Sequence, residues 1–226
     1  MKIIESYIEL KDKIDGQAIL KKIERIGRVC YKSENNIKED SAERFVKSIL
    51  DRGHESVLEH ASVSVRVICD RGVSHEIVRH RIASYSQEST RYCNYSNDKF
   101  GNELTFIKPC WFKYPTSDIM QEEDFYDSEM NESDKDWLHH MKRCENIYFD
   151  MLQHGATPEQ ARSILPNSLK TEMVMTMNLR EWRHFLKLRT SNRAHPQTRE
   201  IANMILEAFK SKIPVVFDDI EEGEII

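Results

Sequence analysis

Between Val78 and Tyr92 the chain reads VRHRIASYSQESTRY, which sets Arg79, His80, Arg81 and Arg91 among the hydroxyls of Ser84, Ser86, Ser89 and Thr90 and the amide of Gln87. Such a vocabulary binds anions. Guanidinium forks grip phosphate oxygens in pairs, and hydroxyls with the N–H groups of a turn complete the cradle. The same composition also suits a solvated charged face, so residue types alone leave both readings open. A second cluster, His54, Glu55, Glu59 and His60, invites a metal reading. Histidines six residues apart do not share the i, i+4 face of an H-E-x-x-H site, and no third ligand accompanies them, so no metal is expected. His139, His140 and His154 read as structural residues of a long helix, where a terminal histidine meets the helix dipole. Arg180, Arg183 and Arg189 read on their own as a salt-bridged helix surface. The five cysteines, Cys30, Cys69, Cys93, Cys110 and Cys144, are scattered and include no C-x-x-C pair. They indicate neither a disulfide framework nor a zinc ribbon, and fit a reducing cytoplasm.

Several elements must position these groups. Ile19, Ile23, Ile26 and Val29 recur at helical spacing, as do Phe45, Val46, Ile49 and Leu50 after Ser41, predicting two amphipathic helices. From His60 to Asp70 the pattern alternates, with Ala61, Val63, Val65 and Val67 on one face, which predicts a strand broken by Gly72. Val73 to about His80 reads as a short helix and Ser84 to Asn97 as a polar loop. Residues 115–136 read as an acidic exposed insertion or mobile connection. A helix carrying Trp137, Met141, Cys144, Tyr148 and Met151 follows, with Gly155 as its C-cap. Thr157, Pro158 and Gln160 spell a capping box, and Pro166 ends that turn. Leu169, Thr171, Met173, Met175 and Met177 alternate as a second strand. Asn178 and Glu181 form another capping signature for a helix to about Arg189. Pro196 opens a last helix striped by Ile201, Met204, Ile205, Ala208 and Phe209. The sum is one helix-rich α+β domain around an antiparallel β-sheet that includes these two strands.

At 226 residues, 39% hydrophobic and 31% charged, the chain can build a sizeable core and is not a low-complexity sequence. It lacks the ~18 uninterrupted apolar residues of a membrane span, so no membrane partner is expected. The formal charge of −5 hides an asymmetry. Residues 118–136 hold nine acids and one base, and residues 218–226 hold five acids; outside them 32 basic residues face 24 acidic ones. An anionic ligand suits that surplus. A nucleic-acid binder using Arg66, Arg71, Arg79, Arg81 and Arg91 is the competing class, but no nucleic-acid-binding motif accompanies the charge.

Arg79-His80-Arg81, seven further residues and Ser89 match the RHR-seven-residues-Ser signature of the flavin-dependent thymidylate synthases, and Arg91-Tyr92 extend the match. Upstream, Gly53-His54-Glu55-Ser56 with Glu59-His60 resembles the family's G-H-E-[ST]-x-x-E-H segment. Downstream, Ala161-Arg162, Leu165-Pro166, Asn178-x-Arg180, His184-Phe185-Leu186 and Leu188-Arg189 follow in the family's order, so the resemblance runs from about residue 18 to 217. It implies a fold of the thymidylate synthase-complementing protein type and a reductive methylation of dUMP to dTMP. Methylenetetrahydrofolate would give the carbon and NADPH, a nicotinamide cofactor, the reducing equivalents through FAD. It implies FAD contacts from Ser56, Arg79, His80, Arg81, Gln87, Asn178, Arg180 and His184. It implies dUMP contacts from Glu76, Arg79, Gln87, Glu88, Ser89, Thr90, Arg91, Arg162 and Arg189, with Arg189 as the catalytic residue facing the pyrimidine. His54 would lie near flavin and folate. The resemblance further implies a homotetramer with active sites at subunit interfaces, no catalytic cysteine and no nucleic-acid partner. A catalytically inactive flavin or nucleotide sensor is the alternative within the same resemblance. Two departures stand out: many members have Gln where Glu76 stands and Glu where Gln87 stands, as if a carboxylate and an amide had exchanged places. The stretch Thr190 to His195 is longer than in some members, which leaves His195 and Gln197 without assigned roles.

Overall fold

Strict alternation over Lys170–Asn178 makes a strand with two unlike faces. Thr171, Met173, Met175 and Met177 are buried, while the residues between them are only partly covered. The strand Ser62–Asp70 shares this period and buries Val63, Val65 and Val67. In the computed structural model, which describes residues 1–112 and 130–223, these two strands are neighbours. The Leu179 N–H donates to the Ala61 carbonyl, the Thr176 and Ser64 hydroxyls bond at 3.0 Å, and the Arg71 N–H donates to the Leu169 carbonyl. Partner numbers rise on one strand as they fall on the other, so the pair is antiparallel, as the alternation predicts.

The strands are β1 (Lys2–Ile4), β2 (Tyr7–Leu10), β3 (Ser62–Asp70), β4 (Ser84–Gln87), β5 (Thr105–Ile107) and β6 (Lys170–Asn178). Their order is β2-β3-β6-β4 in one sheet, with β1 and β5 paired in parallel in a second, Ile3 opposite Phe106. The helices are α1 (Gly16–Val29), α2 (Ser41–Asp51), α3 (Arg71–Ile77), α4 (Glu132–Gln153), α5 (Pro158–Ala161), α6 (Leu179–Arg189), α7 (Pro196–Lys212) and α8 (Pro214–Phe217). The protein is therefore a helix-rich α+β fold. None of its described helices is long and apolar enough to cross a membrane.

Four local expectations are corrected. The strand ends at Asp70 as expected, but Gly72 lies inside α3, which starts at Arg71 rather than Val73, because the Asp70 carboxylate accepts the Val73 N–H at 2.6 Å, and which ends at Ile77 rather than near His80. Ser84 to Gln87 is an edge strand, not loop; its polar SYSQ pattern carries little signal, and its place comes from pairing with β6. The last five residues of the acidic stretch belong to α4, where Asn131 caps the Asp134 N–H and Glu132 and Asp134 complement the positive helix end. The expectation for the remainder of that stretch, residues 115–129, lies outside the described residues. Finally, α7 is followed by α8, whose four residues are too few to show a period.

By contacts the described chain divides into two compact units. The first comprises Met1–Tyr7, Ile68–Ile77 and Ser86–Met173, and its core gathers Ile3, Leu104, Phe106, Leu138, Met141 and Tyr148. The second comprises Ile8–Val67, Val78–Tyr85 and Val174–Ile226. Its centre is Trp182, fully buried, edge-on to Phe209 at 5.0 Å and donating its indole N–H to the Val63 carbonyl at 3.0 Å. Gly16 opens α1 there because a Cβ would stand 2.1 Å from the Lys212 carbonyl oxygen.

Candidate active site

In the second unit the site is built on α6. Asn178 caps the helix by accepting the Glu181 N–H at 2.8 Å; Arg180 and His184 stand on the exposed side of α6, while Glu181 and Arg189 flank the buried Phe185 at steps of four along one face. Two clefts border that face. One, of about 570 Å³, is lined by Asn178, Arg180, His184 and Lys187 together with Glu55 and Glu59. The other, of about 480 Å³, brings Arg79, His80 and Arg81 together with His184 and Arg189. Ile82, 67% exposed, lines both and offers an apolar surface among charges.

The three arginines of α6 have distinct roles. Arg183 is buried and grips both carboxylate oxygens of Asp219 at 2.6 Å, reaches Glu55 at 3.1 Å and donates to the Val216 carbonyl. It is the structural salt bridge that composition predicts for all three. Arg180 is exposed and pairs with Glu59 at 2.6 Å. Arg189 donates Nε–H to Nε2 of His80 at 3.0 Å.

His80 is buried, with Nδ1 3.5 Å from the Glu181 carboxylate. Burial first, then the charges of Arg189 and His184, push its pKa down to about 4, so the ring is neutral at pH 7. Burial also raises the Glu181 carboxyl above the ordinary range, against the opposing pull of His184. Tyr85, whose hydroxyl donates to the His80 carbonyl at 2.7 Å, is pushed up to about 12, chiefly by burial and next by Glu181. His80, Glu181 and His184 offer donor atoms within 4.8 Å of one another, the spacing of a small metal site. The adjacent guanidinium, already bonded to His80, repels a divalent ion, so the trio reads as a hydrogen-bonding cluster.

In the first unit Ser89 starts a tight turn: its hydroxyl accepts the Arg91 N–H at 3.3 Å and its carbonyl accepts those of Tyr92 and Cys93. Arg162 donates to the Thr90 hydroxyl at 3.4 Å, and Arg91 pairs with Glu159 at 2.8 Å on the surface. The Thr157 capping box sets the α5 turn that leads into Arg162, as its sequence predicts. Gln87 donates to Ser74 at 3.0 Å and Thr171 at 3.2 Å. Glu88 is turned inward, its carboxylate held by Lys170 at 2.6 Å and by the Tyr95 hydroxyl at 2.8 Å. Lys170, Tyr95 and Glu181 are the participants that spacing alone does not reveal; Glu181 is visible only as a capping residue. Glu76 is half-buried on α3.

The profile of the family described as "Thymidylate synthase complementing protein" matches residues 14–215. A flavin-dependent thymidylate synthase of Pyrococcus furiosus is 36% identical over 182 residues, 80% of this chain and 68% of that one. The chain belongs to the flavin-dependent thymidylate synthase family. Bearers of the same name from Geobacter sulfurreducens and Mycolicibacterium gilvum are 32% and 33% identical over 87% and 95% of this chain and 79% and 84% of theirs. Of the motif residues shared with flavin-dependent thymidylate synthases, His54 and Ser56 lie exposed at the 3-10 turn Glu55–His60, whose glutamates, rather than they, line the first cleft. His195 is exposed ahead of α7 and Gln197 is buried within it. Burial raises the thiols of Cys69, Cys93 and Cys144, the opposite of what activates a nucleophile.

Proposed function

We propose that the chain catalyses the reductive methylation of dUMP to dTMP as a flavin-dependent thymidylate synthase in the cytoplasm. The methylene carbon of methylenetetrahydrofolate and a hydride from NADPH become the new methyl group in place of the proton lost from uracil carbon 5; that proton is balanced, with one more from solvent, by the two taken up at the folate nitrogens, and tetrahydrofolate and NADP⁺ are released. The observation that carries this reading is the convergence of Arg79, His80 and Arg81 with His184 and Arg189 on one cleft, although α6 and the motif are far apart in the chain.

The residues present fit FAD. Arg79, Arg81 and Arg180 are exposed guanidiniums suited to a pyrophosphate, Asn178 and His184 add polar partners, and Ile82 offers an apolar wall. With Ser56 and Gln87 they would hold the cofactor, which when bound supplies the hydride relay. Arg91, Arg162, Ser89, Thr90 and the N–H groups of their turn would bind the dUMP phosphate, and Glu76, Gln87 and Glu88 would order the nucleotide from behind. Arg189 would face the pyrimidine. A permanent cation there stabilises negative charge on the uracil imide and raises electron density at carbon 5, which attacks the one-carbon unit. A neutral His80 beside it adds no competing positive charge. No protein nucleophile is required. A homotetramer in which this segment completes a neighbour's pocket is carried over from the family resemblance alone.

Anaerobic incubation with FAD, NADPH, methylenetetrahydrofolate and dUMP, read by mass spectrometry, tests the reading. dTMP forms in the complete mixture and not when FAD is omitted; a complete mixture without dTMP refutes it.

A further inference from the structure

Glu181, Phe185 and Arg189 stand at steps of four along α6, so one helix face presents a carboxylate, an aromatic surface and a guanidinium to whatever packs there. What packs there is the His80 ring. It lies edge-on to Phe185 at 4.9 Å between centroids and to His184 at 5.7 Å, and its backbone carbonyl is held by Tyr85. Arg189 Nε–H reaches Nε2 at 3.0 Å, and a guanidinium can only donate. Nε2 therefore carries the lone pair, and the single proton of the neutral ring sits on Nδ1, facing Glu181 Oε1 at 3.5 Å. A glutamate three residues after an Asn cap ordinarily turns back to the cap N–H. Here its carboxylate is directed at the imidazole instead, although it is 8% exposed and its burial is costly.

We propose that Glu181 is a positioning residue: it holds His80 in the Nδ1–H form, and His80 in turn holds the Arg189 guanidinium in one orientation. The inference rests on the reading that Arg189 faces the pyrimidine. A hydrogen bond at one imidazole nitrogen selects what the other can do. Without an acceptor at Nδ1 the proton is free to move to Nε2, where it would meet the Arg189 N–H donor to donor. The cation would then swing away, and displacements of about 1 Å can cost on the order of a hundredfold in rate.

The test uses ¹⁵N-labelled full-length protein and long-range ¹H–¹⁵N correlations of the His80 ring, beside turnover of dUMP. Wild type shows the Nδ1–H pattern. Glu181→Gln keeps it, because an amide oxygen still accepts, and retains most of the turnover. Glu181→Ala shows both tautomers, and its kcat falls on the order of tenfold to a hundredfold while FAD absorbance is retained. Glu181→Met, which preserves volume without an acceptor, replaces the alanine variant if that one fails to fold. An Nε2–H ring in wild type, or a truncated variant with unchanged tautomer and kcat, overturns the proposal. If the ring behaves as stated but wild type makes no dTMP, the hydrogen-bonded chain stands and the proposed reaction falls.

Discussion

Arg189 and His80, 109 residues apart in sequence, meet through one hydrogen bond from Nε to Nε2 of 3.0 Å. The bond joins a permanent cation to a ring that must be neutral to accept it. This ties the electrostatics of the cleft to the protonation of one buried histidine.

That histidine gives the first prediction. Unfolded, its imidazole titrates near ~6.5; folded, burial and then Arg189 and His184 hold it at about 4. Between those values the unfolded chain binds the extra proton. Stability is thus fully present above ~6.5 and declines as pH falls toward 4. Urea denaturation across this window shows the slope, and a His80→Gln variant flattens it. An NMR midpoint near the ordinary histidine value in wild type contradicts the account.

Arg183 supports the second. Removing a buried guanidinium that joins Asp219, Glu55 and the Val216 carbonyl leaves acceptors unmatched, and Arg183→Leu should cost about 3–5 kcal/mol in denaturation experiments. Burial raises the Asp219 carboxyl, but the Arg183 hydrogen bond and charge outweigh it and leave it below the ordinary range. Its contribution is present above the unfolded carboxylate value and is lost as pH falls through the lowered one. Asp219→Asn should remove that acid-side loss, and an unchanged acid transition would count against it.

Lys170 supports the third. Its ammonium meets the inward Glu88 carboxylate at 2.6 Å, immediately before the Ser89 turn. Lys170→Met leaves that carboxylate to Tyr95 alone and should both destabilise the protein by about 3 kcal/mol and weaken dUMP binding measured by calorimetry. Loss of stability with an unchanged dissociation constant would separate the turn from the nucleotide.

Glu76 gives the fourth. If a carboxylate and an amide have exchanged places between Glu76 and Gln87, Glu76→Gln should raise the dUMP dissociation constant about tenfold or more, about 1.5–3 kcal/mol for a lost charge-assisted hydrogen bond. The double variant Glu76→Gln, Gln87→Glu should recover it. An unchanged constant in the single variant removes the exchange hypothesis.

Much of this was legible where one period served one burial pattern. The β6 methionines, the α2 stripe and the Thr157 capping box needed only local rules; α1 was legible as a helix but not in its buried face, where Leu20, Glu24 and Gly27 join Ile23 while Val29 is exposed. β4 was not legible, since an edge strand of Ser, Tyr, Ser and Gln borrows its geometry from β6. Nor were β1, β2 and β5, three or four residues each, too short to establish alternation. At the site, spacing placed Arg180, Arg183 and Arg189 on one helix but not which one salt-bridges the core; that depended on α8 and Asp219, distant in sequence. Glu181 carried a local capping signature that was correct for Asn178, while its carboxylate answered to His80, which no local rule contains.

The most direct test of the account is the anaerobic rate of dTMP formation by Arg189→Ala beside wild type, at saturating dUMP and methylenetetrahydrofolate, with bound FAD verified by absorbance. A catalytic cation facing the pyrimidine predicts a fall on the order of a hundredfold or more with the flavin retained. Equal rates in the two proteins would contradict it.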